Sequence, residues 1–336
     1  MEAMEGIYRL AFPAMGTQCR VDFAAASSTA ARGFRGQMFR WLSEFEGRFS
    51  RFIPDSLVSR VNQAAGLMPV AVDDEAESLF RLCDWFHWCT FGIFDPTALP
   101  LILLWDYQSP GPVVPDDAAI HAALGLVGWK KVQRGPGSVF LPQAGMGIDL
   151  GGIGKEYAVD RVLEMALDSG IRDIIVDFGH DVRAHGEPPE GGPWRIGLED
   201  PGDPGQCWGG VAVRDRAVCT SGDYARNFVA GGRRYGHILD PRTGCPVANG
   251  CRSVSVVAQT CTEAGMLATT AFVMGAQAGI DFLSGFYGTE GCVWADNGCT
   301  ETRGFQNYVI KRKKSAGLAG RAGADGGDGP RGGRIS

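Results

Sequence analysis

The sequence predicts an α+β fold, in which helices pack against largely antiparallel sheets. Segments of strand-like alternation and segments of helical periodicity are mixed along the chain, without the regular strand–helix–strand order of a parallel sheet. The chain has 336 residues, of which 45% are apolar, and this is enough for one large core or two smaller ones. Pattern and size together favour a sizeable protein of mixed sheets and helices.

The first third of the chain predicts a hairpin followed by two amphipathic helices. Apolar residues alternate over residues 7–25 on both sides of a Pro-Ala-Met-Gly-Thr turn, which indicates two paired strands. From Phe34 to Phe45 they recur at helical spacing, and residues 75–90 repeat that pattern. Residues 92–107 are expected to form an ordered loop that ends in a short helix.

The rest of the chain predicts further strands and helices up to about residue 311. A helix is expected to begin near Gly152, to end at Leu167 and to be followed by Gly170 as a C-terminal cap. Residues 312–336 are rich in Gly, Arg, Lys and Ala with almost no apolar side chains, so we expect a disordered tail after a single folded domain over residues 7–311. The other predicted elements are a short helix at 117–127, a hairpin at 137–149, strands at 174–178, 194–198, 208–213, 216–220 and 252–258, helices at 262–274 and 276–284, and strands at 291–294 and 306–311.

Charge and composition exclude several classes of function. The net charge is −6 and the pI about 5.5, and no sizeable basic segment precedes Lys311, so no nucleic-acid partner is expected. No segment has the ~20 apolar residues of a membrane span. The N-terminus lacks the basic region and apolar run of a secretory signal, which predicts a cytoplasmic protein, or a periplasmic one if a signal has been removed. The ten cysteines have no CxxC spacing, which predicts reduced, mostly buried thiols and no zinc site.

A glycine-rich segment from Gly147 to Tyr157 is the first candidate for chemistry. A strand is expected to end at Asp149, after which glycines turn the chain into a helix. Exposed N–H groups at a helix N-terminus favour anions, and Lys155 would add a positive charge. The alternative is a purely structural turn with a surface lysine, and the segment by itself leaves both interpretations open.

A histidine and an aspartate three residues apart form the second candidate. His237 and Asp240 precede a Pro-x-Thr-Gly-x-Pro turn. A histidine beside a carboxylate is held in one tautomer and accepts a proton near neutral pH. The alternative is a turn in which the aspartate caps backbone N–H groups, and the local sequence favours that alternative.

The third candidate is the segment from Phe49 to Asn62. An aromatic side chain beside its polar, turn-forming residues would suit stacking on a ring such as adenine. The alternative, which the segment alone favours, is a helix start with Ser56 or Asp55 at the N-cap.

Taken in order along the chain, these segments resemble the ApbE family of FAD:protein FMN transferases. Single pieces are weak matches, but the ordered set is specific and covers roughly residues 7–311. The matching segments are Ala14–Thr17, Phe49–Asn62, Gly92–Thr97, Asp149–Tyr157, Phe178–Asp181, Trp194–Pro201, Thr220–Tyr224, His237–Pro246 and Ala264–Thr269.

The resemblance implies a T-fold-like arrangement of sheets and helices with FAD between two lobes. It implies a protein-flavinylating enzyme that uses FAD and Mg²⁺ and transfers FMN to a threonine of a client flavoprotein carrying a Ser/Asp-Gly-x-Thr-type acceptor, with release of AMP. It places the catalytic role on His237, as a general base or a phosphate contact, and on Asp240. The implied FAD-binding residues are Met15, Phe52, Ile93, Phe94, Asp95, Asp149, Lys155 and Leu239. The implied metal-site positions are Gly152, Gly265, Ala268 and Thr269.

The chain departs from the family pattern at His180, where the family has the second glycine of its Gly-Gly-Asp, and at two positions that concern carboxylates. Gly265 stands where the family has the principal metal-binding aspartate, and Glu156 stands where the family has a glycine. Mg²⁺ prefers oxygen ligands, including one or two carboxylates, so the loss is expected to weaken the site. Either Glu156, Glu263 or Asp181 replaces the missing oxygen, or a weaker site suffices, or the protein binds FAD without transferring FMN.

Two further alternatives remain from the sequence. Gly265 would also let its helix pack closely against a neighbour. A metal-dependent FAD pyrophosphatase, with water as acceptor and free FMN as product, is the alternative reaction.

Overall fold

A nine-stranded antiparallel sheet organises the computed structural model of the protein, which describes residues 2–4, 7–107, 109, 111–223, 227–296 and 298–310. The strand bounds are β1 Glu2–Met4, β2 Ile7–Ala14, β3 Thr17–Ala24, β4 Val70–Ala71, β5 Gln133–Gly135, β6 Ser138–Phe140, β7 Ile174–Phe178, β8 Asp181–His185, β9 Trp194–Asp200, β10 Asp203–Val213, β11 Arg216–Gly222, β12 Asn227–Ala230, β13 Arg233–Gly236, β14 Leu239–Asp240, β15 Cys245–Pro246, β16 Cys251–Ala258, β17 Glu290–Ala295 and β18 Gly298–Glu301. The large sheet has the order β1-β2-β3-β7-β8-β11-β16-β17-β18, and each neighbouring pair is antiparallel.

Helices cover the sheet and carry the loops of the candidate site. The helix bounds within the described residues are α1 Ser28–Phe49, α2 Leu57–Gln63, α3 Asp74–Cys89, α4 Leu99–Trp105, α5 Asp117–Gly125, α6 Gly154–Asp168, α7 Cys261–Met274 and α8 Ala276–Leu283. The α+β class with antiparallel pairing is therefore confirmed. The extent of the domain, residues 7–311, stays a prediction.

The sheet separates two apolar cores because successive strand residues point to opposite faces. On β7, Ile174 and Val176 pack into the larger core with helices α1, α6 and α7, whereas Ile175 packs into a smaller core with the β9–β10 hairpin. Strand β11 repeats the alternation, with Val218 in the smaller core. Burial on both faces fixes the strand register, since a slip of one residue would exchange the two faces.

A buried aspartate locks helices α6 and α7 together. Asp160, on α6, accepts hydrogen bonds from the backbone N–H groups of Cys261 and Thr262 at 2.8 and 2.9 Å, in the first turn of α7. It also pairs with Arg183 at 2.9 Å. A helix N-terminus favours a negative charge and leaves N–H groups without helical partners. Asp160 meets both needs, so the position of α7 depends on α6.

Several predicted elements differ from the structure. The hairpin predicted at 137–149 reduces to β6 and its pairing with β5, since no strand lies beyond Phe140 in that range. The strand predicted at 306–311 is instead a 3-10 helix at Phe305–Asn307 with one bridge between Val211 and Val309, as far as residue 310. The predicted tail, 312–336, lies outside the described residues.

The prediction of reduced thiols agrees with the structure, in which the ten cysteines are present as thiols and most are buried. Burial raises the pKa of the Cys19 thiol to about 12 and that of Cys89 to about 11. These two side chains are therefore protonated core residues. In the described part of the chain, no helix is both long enough and apolar enough to cross a membrane.

Candidate flavin and metal site

The glycine-rich loop between Asp149 and α6 is held in place from two sides. Asn62, at the end of α2, bonds both backbone groups of Ile148, and the N–H of Asp149 donates to the carbonyl of Pro96 at 2.8 Å. The N–H of Gly154 then donates to the carbonyl of Leu150 at 2.7 Å, which closes the turn into the helix. The first turn of α6 therefore has a fixed position relative to both neighbouring loops.

Two side chains predicted to bind flavin converge on this loop. A Cβ built on Gly152 would lie 4.0 Å from the ring of Phe94, and one built on Gly154 would lie 3.9 Å from the methyl group of Met15. Met15 sits in the tight β2–β3 turn with a φ of 52°, and its N–H donates to Glu46 at 2.6 Å. The turn lines an open cleft of about 460 Å³. The structure thus brings Met15, Phe94 and the loop together.

Ile93 and Asp95 support this region from behind. Ile93 belongs to the buried core. The Asp95 carboxylate accepts hydrogen bonds from the N–H and hydroxyl of Thr97, at 2.8 and 2.5 Å, and from the N–H of Trp129 at 2.9 Å. Its contacts therefore fix the loop that presents Phe94.

Asp149 links the loop to the segment that follows α1. Its carboxylate pairs with Arg51 and accepts a hydrogen bond from the N–H of Gly151 at 2.5 Å. The Arg51 guanidinium carbon lies 4.1 Å from the centre of the Phe52 ring, which is 71% exposed. Ser56 is the N-cap of α2 and accepts from the N–H of Ser59 at 3.0 Å. The capping interpretation is confirmed, and Phe52 lies just before it as an exposed aromatic ring.

Lys155, in the first turn of α6, faces two carboxylates. Its ammonium group pairs with Asp181, the first residue of β8, and lies 3.4 Å from Glu156 Oε1. The tight β7–β8 turn, with His180 at a φ of 72°, directs Asp181 toward α6. A positive side chain thus stands at the helix N-terminus, where anions are favoured.

Glu156 occupies the space beside Gly265. A Cβ built on Gly265 would lie 2.6 Å from Glu156 Cγ and 3.2 Å from its Oε1. The prediction that this glycine permits close packing of its helix is therefore confirmed. The Glu156 side chain is only 10% exposed, and Oε2 has no hydrogen-bond partner among the described residues.

One turn further along α7, Thr269 offers a hydroxyl oxygen. Its Oγ1 lies 2.8 Å from Ser221 Oγ, at the end of β11. The neighbouring Ala268 is fully buried, and its methyl group has no atom that binds a metal. Ser221 was not predicted as a site residue, because its partner lies 48 residues away in the sequence.

Asp240, the second of the two predicted catalytic residues, is held within its own turn by Arg242. The Asp240 carboxylate accepts from the backbone N–H of Arg242 at 2.9 Å and from its guanidinium at 2.9 and 2.8 Å. This pairing raises the pKa of Arg242. Asp240 therefore shapes the turn, and the neighbouring Leu239 packs in a small cluster with Trp105.

The ring of His237 lies 5.9 Å from that of Tyr107, measured between ring centres. His237 precedes β14 and follows β13, so a short two-stranded element on each side fixes its backbone.

The side-chain oxygen atoms of Glu156 and Thr269 are of the kind that Mg²⁺ prefers. Within the described ranges, no group of three or more His, Cys, Asp and Glu side chains has a metal-binding arrangement. Glu156 nevertheless has a buried carboxylate oxygen without a partner among the described residues, and Thr269 has a hydroxyl oxygen. Both oxygens suit a hard cation, whose remaining ligands are commonly phosphate oxygens and water.

Known proteins are similar to this chain over most of its length. The model of the ApbE family matches residues 15–293. The chain is similar to the FAD:protein FMN transferase of Vibrio cholerae, with 31% identity over 275 residues that cover 81% of this chain and 82% of that protein. The corresponding protein of Treponema pallidum is 31% identical over 293 residues, which cover 82% of this chain and 81% of that one.

Solved structures of ApbE proteins are also similar to this chain. The ApbE protein from Thermotoga maritima has a TM-score of 0.83 and 32% identity, covering 91% of this chain and 100% of that chain. The flavin transferase ApbE from Vibrio cholerae has a TM-score of 0.80 and 28% identity, covering 90% and 99%. A family model that spans most of the chain, together with relatives that match over most of their own length, establishes that this protein belongs to the ApbE family.

Proposed function

We propose that this protein is an FAD:protein FMN transferase, which attaches FMN covalently to a threonine of a client flavoprotein. The observation that carries the proposal is the convergence of Met15, Phe94 and Lys155 on the glycine-rich start of α6. This arrangement combines an apolar ring-binding surface with a positive, anion-binding helix end, and FAD presents both a ring system and a pyrophosphate.

The proposed reaction transfers the FMN phosphoryl group from the pyrophosphate of FAD to a threonine hydroxyl group. The threonine hydroxyl oxygen of the client forms a bond to the phosphorus of the FMN half of FAD. The bond from that phosphorus to the bridging oxygen breaks, and AMP leaves with the bridging oxygen and its electron pair. The hydroxyl proton passes to a base. Reactions of this kind are accelerated mainly by positioning and by neutralisation of charge.

The residues divide into ring-binding and phosphate-binding groups. Phe52 is exposed next to Arg51, so it is free to stack on a ring of FAD, and Phe94 and Met15 contact the ligand from the loop side. Lys155 and the N-terminus of α6 attract the pyrophosphate. Asp149 acts through Arg51, whose position it fixes. Ile93, Asp95 and Leu239 support the walls of the site.

His237 is the proposed acceptor of the hydroxyl proton. Neutral imidazole is the side chain best suited to this task near pH 7. Asp240 supports it indirectly, because the carboxylate holds the turn that follows His237 through Arg242.

A divalent cation, Mg²⁺ in our proposal, would neutralise negative charge on the pyrophosphate when bound. Thr269 and the loop at Gly152 are the proposed contacts from this chain, together with a carboxylate considered below. The client is proposed to carry a Ser/Asp-Gly-x-Thr-type acceptor.

The test is incubation of the purified protein with FAD, Mg²⁺ and a peptide that contains this acceptor. We expect the mass of the peptide to increase by one FMN phosphoester, with one AMP released for each peptide modified. A peptide with Thr→Ala at the acceptor position is the matched control and is expected to stay unmodified. Free FMN in place of the peptide adduct would identify a pyrophosphatase, and FAD binding without either product would identify a binding protein.

A further inference from the structure

We propose that Glu156 is a ligand of the divalent cation and delivers from α6 the carboxylate that Gly265 cannot provide from α7. The proposal rests on the proposed function, because it concerns the cation that accompanies FAD. It assigns a metal-binding role to a residue at which the family pattern has a glycine.

The first argument is steric. The side chain of Glu156 fills the volume that any side chain at Gly265 would need, since a Cβ there would lie 2.6 Å from Glu156 Cγ. Real Cβ atoms do not approach a neighbouring carbon so closely. The space between positions 156 and 265 therefore accommodates only one carboxylate side chain, and in this chain that side chain is Glu156.

The second argument is electrostatic. A buried carboxylate is costly unless its oxygens are paired. Glu156 Oε2 has no partner among the described residues, and Oε1 has only Lys155 at 3.4 Å. Lys155 is itself engaged by Asp181. Glu156 thus keeps an unsatisfied acceptor oxygen in a buried place, and a bound cation would satisfy it.

The third argument concerns the other oxygen donors. Gly265 and Thr269 are four residues apart and so lie on the same face of α7. Glu156 contacts that face at Gly265, and Thr269 presents its hydroxyl one turn away, bonded to Ser221 at 2.8 Å. A carboxylate and a hydroxyl on one helix face provide two hard oxygen ligands, and phosphate oxygens and water would complete the shell.

The two other candidate carboxylates are engaged elsewhere. Glu263 is two residues from Gly265, about 200° around the helix, and its Oε1 accepts from Thr289 at 3.5 Å. Asp181 pairs with Lys155. Of the three substitutes that the sequence suggested, only Glu156 has a buried carboxylate oxygen without a hydrogen-bond partner among the described residues.

The experiment measures binding of Mn²⁺, a spectroscopic substitute for Mg²⁺, to the FAD-loaded protein by the loss of the free Mn²⁺ electron paramagnetic resonance signal. We expect Glu156→Gln to weaken Mn²⁺ binding at least about tenfold, since it removes a ligand charge. Glu263→Gln is the matched control and is expected to leave Mn²⁺ affinity unchanged. Equal affinity in Glu156→Gln and the unmodified protein would overturn the proposal.

A reciprocal exchange gives a second, independent test. Gly265→Asp alone is expected to weaken Mn²⁺ binding, because the new side chain collides with Glu156. The double variant Glu156→Gly, Gly265→Asp is expected to restore the affinity to within about threefold, since the carboxylate is then supplied from α7. A double variant no better than Gly265→Asp would count against the proposal. FAD binding is measured separately by flavin fluorescence without metal, and its absence in the unmodified protein would count against the proposed function instead.

Discussion

Asn62 forms two hydrogen bonds with the backbone of Ile148 and thereby joins α2 to the glycine-rich loop. Its Nδ2 donates to the Ile148 carbonyl at 2.9 Å, and the Ile148 N–H donates to its Oδ1 at 2.7 Å. An amide side chain is well suited to this position because it offers one donor and one acceptor in a fixed plane. The segment that carries Phe52 and the loop that carries Asp149 are therefore coupled through one residue.

Asn62→Ala is expected to lower the free energy of unfolding by about 2–3 kcal/mol, because two backbone groups lose their partners. It should also weaken FAD binding, since Asp149 follows Ile148 directly. Chemical denaturation and flavin fluorescence measure the two effects. Asn62→Asp retains the acceptor and loses the donor, so an intermediate loss of stability is expected. A full loss of FAD affinity with unchanged stability would contradict this supporting role.

Phe52 is predicted to contribute to FAD affinity without contributing to folding. Stacking of a base on an aromatic ring is worth ~1–3 kcal/mol, so Phe52→Ala should weaken FAD binding about tenfold. Its ring is 71% exposed, and the melting temperature should therefore stay within about 1 °C. Trp88→Ala, at another ring that is 70% exposed, is the matched control. Equal effects of the two substitutions on FAD affinity would exclude a specific stacking role for Phe52.

Asp160 is predicted to be a major determinant of stability. Asp160→Asn should cost about 3 kcal/mol or more, because it breaks a buried ion pair with Arg183 and replaces an acceptor of α7 N–H groups with a donor. Displacement of α7 would also move Thr269, so Mn²⁺ affinity should fall together with stability. Glu164→Gln, which removes an exposed pair with Arg161 on the same helix, should change stability by less than about 0.5 kcal/mol. Similar losses of stability in Asp160→Asn and Glu164→Gln would contradict the predicted role of Asp160.

Elements with strong periodicity could be predicted from the sequence alone. The hairpin at β2–β3 and helices α1 and α3 follow from alternation and from apolar residues at helical spacing. The bounds of the hairpin and of α3 agree with the structure to within a few residues, whereas α1 extends from Ser28 to Phe49, beyond the predicted segment at both ends. Strand β8 was not predicted, because Asp181, Arg183 and His185 give it a polar face that resembles a loop. The short strands β12–β15 were missed for a similar reason, since they lie among turn-forming residues.

The candidate site was only partly predictable, because its decisive contacts join distant segments. The family resemblance named Lys155 and Phe94, which the structure places at the start of α6, and Thr269, which lies in the middle of α7. No local pattern pairs Arg51 with Asp149, which are 98 residues apart. In the sequence, Glu156 and Gly265 are two separate departures from the family pattern. Only the structure shows that these two positions are in contact.

The half-buried Glu263 is predicted to make the stability of the protein depend on pH. Burial raises its pKa above the usual 4.5, so the folded state favours the protonated form. Its contribution to stability is therefore present at acidic pH and is lost as the pH rises through the raised value. Glu263→Gln should match the original protein near about pH 4 and exceed it in melting temperature near about pH 7. A difference in melting temperature between Glu263→Gln and the original protein that is the same at every pH would contradict the predicted role of Glu263.

His237 is predicted to act in the transfer step and not in FAD binding. His237→Asn should lower kcat of FMN transfer by roughly 10²–10⁴-fold, which is the usual contribution of a general base. FAD affinity should change by less than about threefold, because the proton is accepted from the client hydroxyl. The variant should also lose the fall in rate at acidic pH that protonation of a histidine causes. His121→Asn, at an exposed position on α5, is the matched control. A variant that keeps both its rate and the acidic limb of its pH profile would show that another group accepts the proton.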